Sequence, residues 1–351
     1  VSANTLGHRH PIIIKEIKKQ LNKYMHVMVS GEFIQKPAVQ LSESIINKLP
    51  QKLEVIYLTN SGTEAIEGAM KLAKKSTGRS EFIAAKKSYH GSTHGALSLL
   101  GVTTQKEVYG PLLPDVKFIR FNNFDDLNKI TNKTAAVVLE TIQGGAGFIL
   151  PKKDYLFLVK KKCESVGSLL ILDEIQPGFG RTGKLFGFEH FNVTPDILVM
   201  GKGMGGGLPI GAFCSSRKLM KVIQEKPKLG HITTFGGNPI IASSALATLK
   251  VLYKKNLMSE ISEKELLFRQ RLKHPHIKKI NGIGLMLAIV FKNKSIANKL
   301  VEKAMNDGLI LFWLLWEKKA VRISPPLNIT LKEINKGCDI IIKNLNRIND
   351  N

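Results

Sequence analysis

Two short apolar segments, each carrying polar side chains at its end, constrain what this chain can fold into. The first spans residues 169–176 and reads LLILDEIQ, and the second spans 196–202 and reads DILVMGK. Continuous apolar runs of this length are typical of buried parallel strands. The carboxyl ends of such strands meet at one edge of the sheet, where open α/β proteins form their sites. Asp173 and Lys202 are therefore expected to share one crevice.

The composition indicates a globular protein of 351 residues with enough length for two domains. The formal net charge is +24, but the excess is almost all lysine spread along the chain. This favours solvated surfaces over nucleic-acid binding, for which arginine is the usual base reader. The three cysteines form no CxxC pair, which predicts no disulfide framework or zinc site and favours a cytoplasmic setting. Because no apolar run reaches the roughly 18 residues of a membrane span, we expect no membrane partner.

Alternating strand and helix patterns predict an α/β fold with a mostly parallel, doubly wound sheet. Strand patterns occur at 55–58, 82–84, 135–140, 169–173, 196–201 and 211–214, and helical patterns at 11–24, 37–49, 65–75, 155–166 and 239–253. From about residue 258 the pattern changes to a smaller α+β domain. Its predicted elements are helices at 259–272, 294–307 and 331–347 and a strand at 284–291.

The residues at the strand ends suggest a cofactor with a protonated ring nitrogen and an aldehyde. Lys202 precedes a glycine-rich loop that would let a bound group approach the backbone closely, and a desolvated lysine is nucleophilic toward carbonyls. Asp173 would keep a ring nitrogen protonated, and Gln176 could donate to a ring oxygen. The plainer alternatives are a solvated lysine at a strand end and an aspartate in a salt bridge or helix cap.

Three further motifs provide candidate contacts. Ser61 and Glu64 form a capping box, so the free amides of Gly62 and Thr63 would face an anion at a helix N-terminus. Tyr89 beside glycine could stack on a planar ring. Arg322 precedes a rigid double proline and could bind a carboxylate with two hydrogen bonds, or form a surface ion pair.

Other patterns are given less weight. Two GxGxxG stretches, at 178–183 and 201–206, are not followed by helices, which argues against dinucleotide binding. The histidine pairs at 8/10 and 90/94 lack a third ligand nearby, and we predict no metal site.

These residues belong to a series of motifs through which the chain resembles the class III aminotransferases, fold-type-I enzymes that use pyridoxal 5′-phosphate. The motifs are GHRHP (7–11), NSGTEA (60–65), YHG (89–91), ETIQG (140–144), LDEIQ (172–176), GRTG (180–183), PD (195–196), GK (201–202), GGLPIG (206–211), TFGGNP (234–239) and RISPP (322–326). The resemblance implies a large cofactor-binding domain at 31–250 and a small domain made of 1–30 and 251–351.

The resemblance also implies roles for individual residues. Lys202 would form the Schiff base with the cofactor and shuttle the proton, while Asp173, Gln176, Tyr89 and His90 would surround the ring. Ser61, Gly62 and Thr63 would bind the phosphate together with Thr234 of a neighbouring subunit, which implies a homodimer. Glu140 would line the site as a further catalytic residue, and Arg322 would bind the substrate carboxylate.

The expected activity is ping-pong transamination from an amino acid to 2-oxoglutarate. N-acetylornithine or a related acylated diamino acid is the preferred donor, which would place the enzyme in arginine biosynthesis. Gly145 departs from ornithine-type and acetylornithine-type relatives, which usually carry a glutamate there, and the chain starts later than those relatives. The alternatives are a racemase or decarboxylase of the same fold, or a truncated paralogue that binds cofactor without turnover.

Overall fold

The computed structural model describes residues 2–29, 33–254 and 257–348. The helices in these ranges are α1 (Pro11–Leu21), α2 (Lys36–Ile46), α3 (Gly62–Thr77), α4 (His94–Ser98), α5 (Tyr155–Val166), α6 (Arg217–Gln224), α7 (Pro239–Lys254), α8 (Ile261–Arg271), α9 (Lys294–Asn306) and α10 (Leu331–Leu345). The strands are β1 (Val55–Thr59), β2 (Glu81–Ala85), β3 (Val116–Ile119), β4 (Thr134–Glu140), β5 (Leu169–Asp173), β6 (Ile197–Gly201), β7 (Gly211–Ser215), β8 (Ile277–Ile283), β9 (Met286–Phe291), β10 (Phe312–Trp313) and β11 (Ala320–Ile323).

A large sheet of the described residues has seven strands in the order β1-β7-β6-β5-β4-β2-β3. The central strands pair in parallel, and only β7 runs antiparallel to its two neighbours, β1 and β6. The predicted mostly parallel α/β sheet is therefore confirmed. Strands β4 and β6 are buried along their whole lengths, as their continuous apolar sequences require, because helices cover both faces.

A second sheet of four strands, in the order β10-β11-β9-β8, is antiparallel throughout. The predicted strand at 284–291 begins at Met286, because Gly284 and Leu285 form the turn from β8. Strand β8 was not predicted, since its sequence IKKINGI leaves two lysines exposed at the sheet edge. Strand β11 carries Arg322.

Three predicted helices, at 11–24, 37–49 and 331–347, end two or three residues earlier than predicted, whereas α5 has its predicted bounds and α3 extends two residues beyond the predicted end. Of the predicted domain boundaries, the one at 30/31 lies outside the described residues, and the one at 250/251 falls within α7. Among the described helices, none combines the length and apolar character that a membrane crossing requires.

Candidate active site

Three adjacent strands of the large sheet deliver their last residues to one cavity. Strand β4 ends at Glu140, which is paired in register with Asp173 at the end of β5, and Lys202 directly follows β6. The cavity has a volume of about 490 Å³. The predicted site residues on its wall are Gly62, Thr63, Tyr89, His90, Glu140, Asp173, Gln176, Lys202 and Arg322.

Lys202 leaves β6 in a backbone conformation that a lysine rarely adopts. Its φ is +43°, in the left-handed region, and such local strain is concentrated at functional sites in proteins. Burial lowers the pKa of its amine, although the carboxylates of Asp173 and Glu140 act in the opposite direction. The nearby charge of Arg322 lowers it further. A larger fraction of neutral amine makes Lys202 a better nucleophile.

Asp173 is held by two hydrogen bonds. Nδ1 of His90 lies 2.8 Å from Oδ2 of Asp173, and the amide of Ile175 donates to Oδ1 at 2.9 Å. Both side chains are buried. His90 lies 83 positions away in the chain, so spacing gave no signal of this pair, although the resemblance placed His90 near the cofactor.

Glu140 is the second buried acid of the cavity. Its Oε1 accepts a hydrogen bond from the amide of Gly144 at 3.0 Å, whereas Oε2 is buried and has no partner among the described residues. Burial raises the pKa of this carboxyl to about 7, with a further contribution from the charge of Asp173. Glu140 can therefore exchange a proton near neutral pH.

The N-terminus of α3 forms another wall of the cavity. Ser61 caps the helix, because its Oγ accepts from the amide of Glu64 at 3.3 Å. The second hydrogen bond of the predicted capping box differs by one residue. The Glu64 carboxylate accepts from the amide of Asn60 at 2.8 Å and not from that of Ser61. A Cβ at Gly62 would lie 2.7 Å from the terminal methyl group of Ile175, so glycine avoids a close contact at the start of the helix.

Thr93, which sequence reasoning missed, fixes the hydroxyl of Thr63. Thr93 donates its hydroxyl proton to the carboxylate of Glu67 at 2.6 Å, and its Oγ1 lies 2.7 Å from that of Thr63. Because Thr93 has already donated its proton, Thr63 must donate toward Thr93. The group that Thr63 offers to an anion in the cavity is therefore its backbone amide.

Arg322 faces the cavity with an unsatisfied guanidinium. Its Nε donates to the carbonyl of Trp313 at 3.0 Å, and the ring of Phe312 lies 5.9 Å from the guanidinium carbon. Nη1 is buried and has no partner among the described residues, and burial lowers the pKa of the group. A carboxylate bound in the cavity would satisfy this donor.

Gly145 lies on the same wall, beneath an indole ring. The amide of Trp316 donates to the carbonyl of Gly145 at 2.9 Å. A Cβ at position 145 would lie 2.8 Å from two atoms of the Trp316 ring. The space that an acidic side chain would need is thus occupied by tryptophan.

Two glycines of the loop after Lys202 are required by packing within the protein. A Cβ at Gly206 would lie 2.4 Å from the Thr248 hydroxyl and 2.8 Å from Ile13, and one at Gly207 would lie 2.8 Å from Asn4. At both positions the restricting atoms belong to the protein itself. Close packing of the loop against α7 and the start of the chain therefore requires glycine at these two positions.

Two predicted site residues lie apart from this wall. Ser61 caps α3 directly behind Gly62, and Thr234 is exposed and does not line the cavity of its own chain. No group of three or more histidine, cysteine, aspartate or glutamate side chains suited to a metal ion occurs in the described part of the chain.

Comparison with known proteins identifies the family. Residues 1–345 match the aminotransferase class-III family. The ornithine aminotransferase of Toxoplasma gondii ME49 is 30% identical, with a TM-score of 0.90 over 99% of this chain and 84% of that one. An adenosylmethionine-8-amino-7-oxononanoate aminotransferase of Methanocaldococcus jannaschii is also 30% identical, with a TM-score of 0.88 over 99% of this chain and 87% of that one. A Bacillus anthracis aminotransferase, 26% identical, has a TM-score of 0.92 over 99% and 88% of the two chains.

The fold and the cavity at the strand ends thus define a transferase of fold type I, and the chain belongs to the class III aminotransferases. Enzymes of this family depend on pyridoxal 5′-phosphate, and a structure of the Toxoplasma gondii enzyme contains it at partial occupancy. The cavity fits such a group. Three buried polar atoms that find no hydrogen-bond partner within the described ranges, Oε2 of Glu140, Nε2 of His90 and Nη1 of Arg322, belong to residues that line it.

Proposed function

We propose that this aminotransferase moves an amino group from N-acetylornithine, or a related acylated diamino acid, to 2-oxoglutarate by a ping-pong mechanism. One observation carries the transamination itself: Lys202, with a lowered pKa, shares a cavity with the paired Asp173 and His90 and with the unsatisfied guanidinium of Arg322. A nucleophilic amine, an anion for a ring nitrogen and a cation for a carboxylate are the groups that transamination of an amino acid requires.

The proposed cofactor contacts follow the walls of the cavity. Asp173 would hold the ring nitrogen, Gln176 the phenolic oxygen and Tyr89 one ring face. The N-terminus of α3, with Ser61, Gly62 and Thr63, would bind the phosphate, since its free amides and its dipole favour an anion. When bound, the cofactor supplies an electron sink for the C–H bond that breaks at the substrate carbon bearing the amino group.

Residues of the protein would transfer the proton that leaves the substrate. Nζ of Lys202 would remove the proton from the carbon that bears the donor nitrogen, because burial keeps a fraction of this amine neutral. Arg322 would orient the substrate by binding the substrate carboxylate. Glu140, with a pKa of about 7, can hold a proton in the same cavity. Both half-reactions would use the same groups in opposite directions.

The surface around Thr234 supports a homodimer. Leu229, Ile232 and Phe235 are exposed to 68%, 59% and 53%, and Ile34 to 88%. Leu229, Ile232 and Ile34 line a second cavity of about 550 Å³. A second copy of the chain would cover this apolar surface and could bring Thr234 to the phosphate of its partner.

We also propose that the reaction takes place in the cytoplasm as a step of arginine biosynthesis. All three cysteines, Cys163, Cys214 and Cys338, are buried free thiols, which is compatible with a reducing compartment. The pathway assignment depends entirely on the donor being N-acetylornithine.

The proposal is tested by recording the visible spectrum of the protein with pyridoxal 5′-phosphate while amino donors are added. The panel contains N-acetylornithine, ornithine, succinyl-diaminopimelate, 4-aminobutyrate, glutamate and alanine. We expect one donor to bleach the band of the bound cofactor and 2-oxoglutarate to restore it. A stable band that no donor bleaches would contradict transamination, and racemised or decarboxylated product would indicate a different reaction of the same fold.

Lys202→Ala should abolish both the band and the turnover, whereas the exposed Lys184→Ala should leave them unchanged. Nucleophilic attachment cannot occur without the amine, so near wild-type turnover by Lys202→Ala would refute the assignment.

A further inference from the structure

Arg181 is the largest fully buried side chain among the described residues, and it lies outside the cavity. It belongs to the loop that follows β5, a few residues after Gln176. Its Nη1 donates to the carbonyl of Leu285 at 3.2 Å and to that of Pro325, and Nη2 is buried without a partner in the described part of the chain. Burial is the cause of its lowered pKa, about 10.

The two carbonyls lie at one end of the second sheet, beside the strand that carries Arg322. Pro325 follows Arg322 by three residues, and Leu285 forms the turn before β9, the strand that pairs with β11. Ile323 at the end of β11 pairs with Leu287 near the start of β9, so Arg181 connects the loop after Asp173 with the C-terminal end of the strand that carries Arg322.

The backbones at this contact are also interlocked. The amide of Leu285 donates to the carbonyl of Arg181 at 2.9 Å. Gly284 has a φ of +60°, and a Cβ there would lie 2.7 Å from the Cα of Thr182. The loop and the turn thus meet at backbone distance, and the guanidinium extends this contact to Pro325.

We propose that Arg181 is a positioning residue for substrate binding: it holds Pro325, and through it Arg322, at a fixed distance from Lys202. The inference rests on the proposed role of Arg322 as the carboxylate site. Burying a cation without a carboxylate is unfavourable, and Nη1 directs its N–H groups to the two carbonyls at the end of a rigid planar fork that the shorter, flexible lysine side chain does not reproduce. A displacement of about 1 Å at Arg322 would weaken carboxylate binding without altering the cofactor side.

Arg79 provides a matched control. Its Nη1 also donates to backbone carbonyls only, those of Thr134, Val166 and Gly167 at 3.1, 2.9 and 2.9 Å. Thr134 begins β4, whereas the cavity lies at the opposite end of this strand, at Glu140. Changes at Arg79 should therefore affect stability but not substrate binding.

The experiment compares Arg181→Lys, Arg181→Gln and Arg79→Lys as holoenzymes. The measured quantities are the cofactor dissociation constant, kcat, KM for 2-oxoglutarate, and the inhibition constant of glutarate, a dicarboxylate with no reacting group. Arg181→Gln is included because it removes the buried charge and its desolvation cost, so it should fold if the lysine variant does not.

For both Arg181 variants we expect KM and the inhibition constant to rise by about tenfold or more, with kcat and cofactor affinity changed by less than about threefold. Arg79→Lys should change none of these. Unchanged KM and inhibition constants in the Arg181 variants, or equal changes in Arg79→Lys, would overturn the proposal.

Arg322→Gln separates this result from the proposed function. If Arg322→Gln weakens glutarate binding and the Arg181 variants do not, only the positioning role fails. If Arg322→Gln leaves glutarate binding unchanged, the carboxylate site itself is wrong, and the role of Arg181 fails with it.

Discussion

The imidazole of His90 and the carboxylate of Asp173 form a buried pair with 2.8 Å between Nδ1 and Oδ2. With the amide of Ile175 on the other oxygen, this pair fixes the carboxylate plane at the end of β5. An anion held in this way is oriented before any ligand binds, so no reorganisation is needed when a ring nitrogen approaches.

Removing the charge of Asp173 should therefore impair catalysis much more than folding. Asp173→Asn keeps the shape of the side chain but cannot hold a protonated ring nitrogen, and we expect kcat/KM to fall by roughly two orders of magnitude or more. The melting temperature should change little. Steady-state kinetics and thermal unfolding check this, and activity within tenfold of wild type would contradict the role of Asp173.

Any side chain at position 145 should destabilise the protein as long as Trp316 is present. Because a Cβ would lie 2.8 Å from the indole, Gly145→Ala should lower the free energy of unfolding by about 1–3 kcal/mol. Trp316→Ala should remove most of that penalty, so the double variant should show a clear coupling in urea unfolding. Additive effects of the two substitutions would show that the contact is not tight.

Glu174 should make stability depend on pH. Its carboxylate is buried and accepts from the amides of Gly187 and Phe188 at 2.8 and 2.7 Å, and burial raises its pKa from 4.5 to about 7. Between these values the folded protein binds more protons than the unfolded chain, so stability falls as pH rises through this window.

Glu174→Gln should reduce the stability difference between pH 5 and pH 8 by about 3 kcal/mol, measured by urea unfolding at both values. The exposed Glu263→Gln should leave that difference unchanged. An identical pH dependence in wild type and Glu174→Gln would contradict the raised pKa.

Thr234 should affect cofactor affinity only in the dimer. If its hydroxyl donates to the phosphate of the partner's cofactor, Thr234→Ala should weaken cofactor binding by about 10-fold or more, the usual effect of losing a hydrogen bond to a charged group. The exposed Thr104→Ala serves as control. Cofactor titration above and below the dimer dissociation constant, from sedimentation, tests this, and equal affinity at both concentrations would contradict a shared site.

The motifs predicted much of the candidate site because they are local. Asp173, Lys202 and Gly62 are each determined by a strand end or a strand-to-helix turn, which a single segment of sequence specifies. Strand β8 and the pairs His90–Asp173 and Thr93–Thr63 were missed from spacing and periodicity. The residues of each pair are distant in the chain, so no spacing indicates them. Strand β8 is only partly buried, so its sequence shows no clear apolar period.

The glycines after Lys202 show the same difference between what local sequence indicates and what tertiary packing decides. Their number indicated an unusual loop, but only the packing of Thr248 and Ile13 against Gly206, and of Asn4 against Gly207, explains why side chains are excluded there.

The sequence by itself determined the alternating α/β order, the family and the residue types at each strand end, because these depend on local periodicity and short motifs. Only the tertiary structure decided which polar atoms remain unsatisfied, which acid has its pKa raised, and that Trp316 occupies the space beside Gly145. Burial and hydrogen-bond partners depend on residues from separate segments, and these meet only when the two sheets pack around the cavity.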